Sequence, residues 1–247
     1  MNQVCVTTSM GKRLIGKGMV HHPVIKNVLQ KGRLVIIQGT TNGYVAEEIL
    51  ILLGQSEGFT RKGFRRGIVT APGATFPGAT FEGDVVIIDG QWQRGKTIFD
   101  VVDDLESGDV VLKGGNALDE HRQAAVFVQH PKGGTVLATL TAVIGRRVRL
   151  IVPIGLEKRV FENVVDLAQQ TNAPDVDGLR LMPLLGEVFT EIDAIKLITG
   201  AETRLLGAGG IYGAEGSVWL GISGTSQEVQ GTNDLINSIS NEPACQV

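Results

Sequence analysis

Short apolar runs, each broken by a glycine-containing polar turn, recur along the chain. Residues 34–37 (Leu-Val-Ile-Ile) form a continuous apolar run between Gly32 and Gly39, the pattern of a strand buried on both faces. Residues 39–43 (Gly-Thr-Thr-Asn-Gly) then supply permissive backbone and small polar side chains, and a helical pattern begins at Tyr44 with Glu47 and Glu48 in its first turns. The run Asp-Val-Val-Ile-Ile-Asp-Gly at 84–90 predicts a second strand delivering Asp89 at its carboxyl end. A short acidic helical segment leads to a third strand within 109–120, which delivers Lys113, Gly114, Gly115 and Asn116. Residues 134–140 form a helical or extended crossover, and a fourth strand at 148–153 ends in Gly155, Glu157 and Lys158 before a helix at 160–170. Strands alternating with helices predict a doubly wound, mostly parallel, Rossmann-like α/β sheet, in which ligands bind beyond the carboxyl ends of the strands.

The flanks are less regular. Residues 3–8 predict a short edge strand, and 11–30 carry apolar positions at helical spacing, split by Pro23. The adjacent His21 and His22 would point to different faces of a helix and are assigned no role. Residues 61–83 are rich in Gly, Pro and Thr, with strand content limited to 67–70, and read as a long loop and candidate lid whose Arg61, Lys62, Arg65 and Arg66 can reach an anion. After a turn-rich linker near 171–178 come a strand at 180–188, a helix opened by a Thr190/Asp193 capping box and closed by Gly200, a hairpin of 205–210 with 217–223, and a last helix at 227–240. That order is most of a ferredoxin-like α+β unit. The expected division is therefore 1–172, a Rossmann-like domain, and 173–247, a ferredoxin-like subdomain.

A strand, a polar loop and a helix N-terminus make an anion site, because unpaired N–H groups and the positive dipole end face whatever lies above the loop. Plain capping by Thr40 and Asn42 is the alternative. The 33 glycines among 247 residues suit a site built from loops, and the net charge of −3 gives no reason to expect nucleic acid as a partner. Cys5 and Cys245 lie near opposite ends without metal-ligand spacing, so neither a disulfide framework nor a metal site is implied. No apolar run reaches membrane-spanning length and no signal-peptide pattern opens the chain, so a cytoplasmic protein without a membrane partner is expected. The turn at 39–43 lacks the Gly-Lys-Ser/Thr ending of a nucleotide-hydrolysing loop.

The succession GTTNGYVAEEIL, DVVIIDG, DVVLKGGNALDE and LIVPIGLEK resembles the superfamily containing ribose-5-phosphate isomerase A, glucosamine-6-phosphate deaminase and the CoA transferases, the isomerase pattern being nearest. The resemblance spans roughly residues 33–160. It implies a phosphate-binding turn at Gly39, Thr40, Thr41 and Asn42, further substrate contacts from Gly114, Gly115, Asn116 and Lys158, and catalytic roles for Asp89, Lys113 and Glu120. Gln91, Trp92 and Gln93 stand where the isomerase has Ala-Asp-Glu, and the catalytic glutamate falls on Glu120 only with a shortened loop, Asp119 and His121 being equally reachable. The implied chemistry is isomerase-type proton transfer on a small phosphorylated or carboxylated metabolite, without a cofactor. It needs a carboxylate base, a cation at the developing oxyanion and an anchor for the substrate tail. A CoA-dependent transferase or hydrolase, with Glu120 or Glu157 attacking a thioester, and a non-catalytic ligand-binding or assembly module, with the C-terminal unit serving homo-oligomerisation, are the alternatives.

Overall fold

The computed structural model describes residues 1–66, 69, 70, 73 and 80–244; part of the strand content expected at 67–70, and Cys245, lie outside them. The chain opens with β1 (Asn2–Val6), α1 (Thr8–His21), α2 (Pro23–Gln30), β2 (Arg33–Ile36) and α3 (Thr40–Leu52). Thr7 caps α1 by accepting from the Met10 N–H, and Pro23 occupies the first turn of α2, where its missing N–H costs nothing. Next come β3 (Val85–Ile88), β4 (Gln91–Trp92), the single-turn α4 (Ile98–Val101), β5 (Val110–Leu112), β6 (Ala117–Leu118), β7 (Ala124–Val128), α5 (Gly134–Arg146), β8 (Arg149–Pro153) and α6 (Val164–Thr171). The remainder is β9 (Arg180–Leu184), β10 (Glu187–Phe189), α7 (Glu191–Thr199), β11 (Glu202–Ala208), β12 (Val218–Ser223) and α8 (Ser226–Ser238).

The protein is a mixed α/β structure around a six-stranded, mostly parallel sheet of order β10-β8-β5-β2-β3-β4. Strands β10, β8, β5 and β2 run parallel, and their apolar runs are buried throughout, as a sheet covered on both faces requires. Helix α1 packs against α3 and α7. Its glycines set the approach: a Cβ at Gly16 would stand 2.9 Å from the Tyr44 carbonyl oxygen, and one at Gly18 2.6 Å from Ala194 Cβ. No helix among the described residues is long and apolar enough to cross a membrane.

Strand β3 departs from the expected direction. Asp89 (φ 48°) and Gly90 (φ 76°) are both left-handed and form a two-residue hairpin turn into β4, the Asp-Gly pattern that matches strand twist. β3 therefore runs antiparallel to β2, with Val85 beside Ile36 and Ile88 beside Arg33. Its carboxyl end lies at the opposite edge of the sheet from those of β2 and β5.

Pairings also cross the boundary expected after residue 172. β1 pairs with β12 in a three-stranded sheet of order β1-β12-β11, β9 pairs with β7, and β10 joins the main sheet beside β8. The strand expected at 180–188 is two strands in different sheets, divided at Leu185 and Gly186, where the backbone passes so close to β8 that a Cβ at Gly186 would stand 2.6 Å from Leu150 Cγ. One core cluster runs from Val6 and Leu14 through Ile36 and Leu112 to Ile195 and Leu220.

Candidate functional site

The carboxyl ends of β2, β5 and β8 contribute to a cavity of about 510 Å3. At the end of β2, Gly39 is extended (φ 176°) and starts α3 with no side-chain cap. The N–H groups of Thr40, Thr41 and Asn42 are thus the unpaired donors of a 13-residue helix, and all three residues line the cavity. Helix α5, also of 13 residues and also without a side-chain cap, starts at the same space, where Gly133, Gly134, Thr135 and Val136 line it. Gly133 and Gly134 are both left-handed. Two positive helix ends therefore meet one cavity.

Asn42 fixes the α3 end to the sheet. Its amide donates to the carbonyls of Ile37 (2.7 Å) and Leu112 (3.0 Å), tying β2 to β5. Its Oδ1, and the hydroxyl of Thr41, have no hydrogen-bond partner among the described residues, although the two residues are 1 % and 3 % exposed. Oδ1 can only accept, so it is left as a buried acceptor without a donor among those residues.

Lys113 follows β5 on the cavity wall, its N–H donating to Ile151 and its ammonium hydrogen-bonded to no described residue. Burial pulls that ammonium down from an ordinary 10.5 to about 8; the Asp84 carboxylate opposes the fall and the Arg66 guanidinium adds to it. Gly115 must be small, since a Cβ would meet Ile154 Cδ1 at 2.9 Å and the Ala125 carbonyl oxygen at 3.0 Å. Lys158 donates to the Gly115 carbonyl at 2.9 Å, and Asn116 Oδ1 accepts from the Phe127 N–H, tying the end of β5 to β7. Gly39, Thr40, Thr41, Asn42, Lys113, Gly114, Gly115, Asn116 and Lys158 are all brought together here.

Asp89 and Glu120 are not. Asp89 sits in the β3–β4 turn at the far edge of the sheet, where its carboxylate accepts from the Gly32 N–H at 2.8 Å. Glu120 is exposed in the turn joining β6 to β7, at the end of β7 away from the cavity. Of its alternatives, His121 is exposed beside it, and Asp119 is buried as a backbone acceptor for His121, Gln123 and Val164. Among the described lining residues there is no Asp or Glu.

Two groups missing from the sequence reading shape the site. Asp84 precedes β3 and so reaches the rim that Asp89 was expected to occupy. Fully buried, it accepts from the backbone of Gln38 (3.0 Å) and Ile98 (2.9 Å) and from Arg66 (3.1 Å). The Asp-Gly pair at 89–90, a strong hairpin signal, would have reversed the strand and pointed to it. Strand β7 was unassigned. Its Val126, Phe127 and Val128, with Gln129 and His130 beyond, form a wall of the cavity, and Phe99 lines it while 54 % exposed. The run Ala-Ala-Val-Phe-Val was the available signal.

Glu157, the other candidate nucleophile, turns away from the cavity to a buried cluster under α1. Lys12 Nζ lies 3.2 Å from its carboxylate, and Glu191, 2 % exposed, accepts from the Leu156 N–H at 3.0 Å. Burial and the Glu157 charge push the Glu191 carboxyl up to about 8. No group of His, Cys, Asp and Glu among the described residues could hold a metal ion. No protein-family model matches the chain, and no curated protein or solved structure is significantly similar to it.

Proposed function

We propose that the cavity binds a small phosphorylated or carboxylated metabolite, with the α3 N-terminus as principal anchor. The observation that carries this reading is the meeting of two uncapped helix N-termini with Lys113 in one space that has no acidic lining residue among those described. Fixed N–H donors and a half-buried cation favour an anion and disfavour a neutral solute of similar size. On this reading the main sheet is a Rossmann-like frame, β1, β11 and β12 with α7 and α8 are the ferredoxin-like unit, and the protein is a cytoplasmic enzyme related to the sugar-phosphate isomerases. Any proton transfer would then fall to Lys113 in place of a glutamate. An acyl-glutamate route on Glu120 or Glu157 draws no support from their surroundings.

Calorimetric titration with glycerol 3-phosphate, glycerate and inorganic phosphate tests the reading. One site per chain is expected, with affinity weakening as pH rises through about 8, where Lys113 loses its charge. Lys113→Met should weaken binding about tenfold, or about 1.4 kcal/mol. If none of these anions binds the wild-type chain, the reading fails.

A further inference from the structure

We infer that Lys113 is a nucleophile that forms an imine with the carbonyl group of an anionic aldehyde or ketone held in the cavity. The inference rests on the binding reading above and deepens it by naming the reacting group of the ligand.

Three observations carry it. Lys113 extends from the end of a central strand onto the wall of a cavity that receives two helix N-termini, so an anion anchored there brings the rest of a small molecule over the amine. The amine also makes no hydrogen bond or ion pair to a described residue, whereas Lys158 Nζ is committed to the Gly115 carbonyl and Arg66 to Asp84. Finally, crowding by protein, with Arg66 nearby, favours the neutral amine, and Asp84, the nearest balancing carboxylate, is already held by two backbone N–H groups and Arg66. Arg65, Lys158 and His130 also line the cavity and add no negative charge.

The step balances without a further reactant. The Lys113 nitrogen lone pair attacks the carbonyl carbon and the C=O π pair moves to oxygen. After a proton moves from nitrogen to that oxygen, a second proton from solvent lets it leave as water, giving a protonated imine. Hydrolysis reverses the sequence. The resulting cation withdraws electrons from the adjacent carbon, which eases proton loss there.

The test uses the full chain with dihydroxyacetone phosphate and cyanoborohydride, which delivers hydride to an imine and fixes it as a secondary amine. Peptide mapping should find one adduct per chain, on Lys113, suppressed by excess glycerol 3-phosphate. Its rate should rise through about pH 8, well below the 10.5 of an ordinary lysine. Lys113→Met should abolish it without moving it to Lys158. Because the wild-type map locates the adduct, the test survives a variant that fails to fold. Binding of glycerol 3-phosphate with no adduct on Lys113, or with adducts spread over exposed lysines such as Lys132, overturns the inference and leaves the binding reading standing. Neither binding nor adduct overturns both. A Lys113 adduct that glycerol 3-phosphate does not suppress overturns the inference, since the anion anchor would then play no part.

Discussion

Glu191 and Lys113 are both pushed toward neutrality by burial, yet they make folding respond to pH in opposite senses. The Glu191 carboxyl is raised from 4.5 to about 8, so the native state keeps a proton that the unfolded chain has lost. Its burial therefore costs nothing below the ordinary carboxyl range and weakens folding progressively as pH climbs toward 8. Glu191→Gln keeps the shape and an acceptor for the Leu156 N–H while removing the charge. It should leave the melting temperature unchanged at about pH 4 and raise it at pH 8 by about 2–4 °C, roughly 1 kcal/mol in a chain of this length. Calorimetry at the two pH values checks this. For Lys113 the native state is the one short of a proton, so its burial penalty is present below about 8 and fades as pH rises toward 10.5. Asp84 holds the two ends of the rim together through Gln38, Ile98 and Arg66. Asp84→Asn leaves one backbone donor facing an NH2 group and should cost about 1–3 kcal/mol in chemical denaturation. It should also move the pH midpoint of Lys113 modification further down, because the opposing carboxylate is gone.

At the scale of elements, the hairpin of β3 and β4 separates what was legible from what was not. Asp89→Ala should remove the acceptor for the Gly32 N–H and strain a left-handed residue, costing about 1 kcal/mol. Titration with glycerol 3-phosphate should nevertheless show affinity within about twofold of wild type, because the turn lies at the far edge of the sheet. The strands at 34–37, 109–112 and 148–153, the break at Pro23, the capping box at Thr190 and the closing Gly200 were all readable, because each depends on local pattern or backbone chemistry. Strand direction was not read. A buried apolar run looks the same in either orientation, and only the Asp-Gly turn behind it carries the polarity. The same gap hid Asp84 and promoted Asp89. Glu120 was misplaced for a related reason: a two-residue strand and a tight turn, β6 and residues 119–122, leave too little periodicity to show that the chain has already turned back. Lys113, Gly114 and Gly115 could be placed together at a strand end because a strand followed by Gly-Gly is a local signature, whereas the α5 half of the cavity they line arises from packing between segments distant in sequence.

For the whole molecule, the pairing of β1 with β12, β7 with β9 and β8 with β10 makes the segments before and after residue 172 interdependent. A fragment of residues 1–172 should leave β1 without its partner and the edges of β7 and β8 unpaired, and should show no cooperative thermal transition by circular dichroism and little amide dispersion by NMR. A sharp transition near that of the full chain would make it an independent folding unit. The β1–β12 ladder also bears on biosynthesis. Asn2 stands opposite Ile222 and Val6 opposite Val218, so β1 leaves a ribosome more than two hundred residues ahead of the strand it pairs with. Until β12 follows, its backbone donors and acceptors are an open strand edge on a nascent chain, a template for pairing with other chains. Loop closure over that span makes the β1–β12 ladder a late and slow one to form. Joining residue 247 to residue 1 with a flexible linker and opening the chain elsewhere would leave only α8, its flanks and the linker between β12 and β1, and refolding of such a permutant would be faster at unchanged ligand affinity.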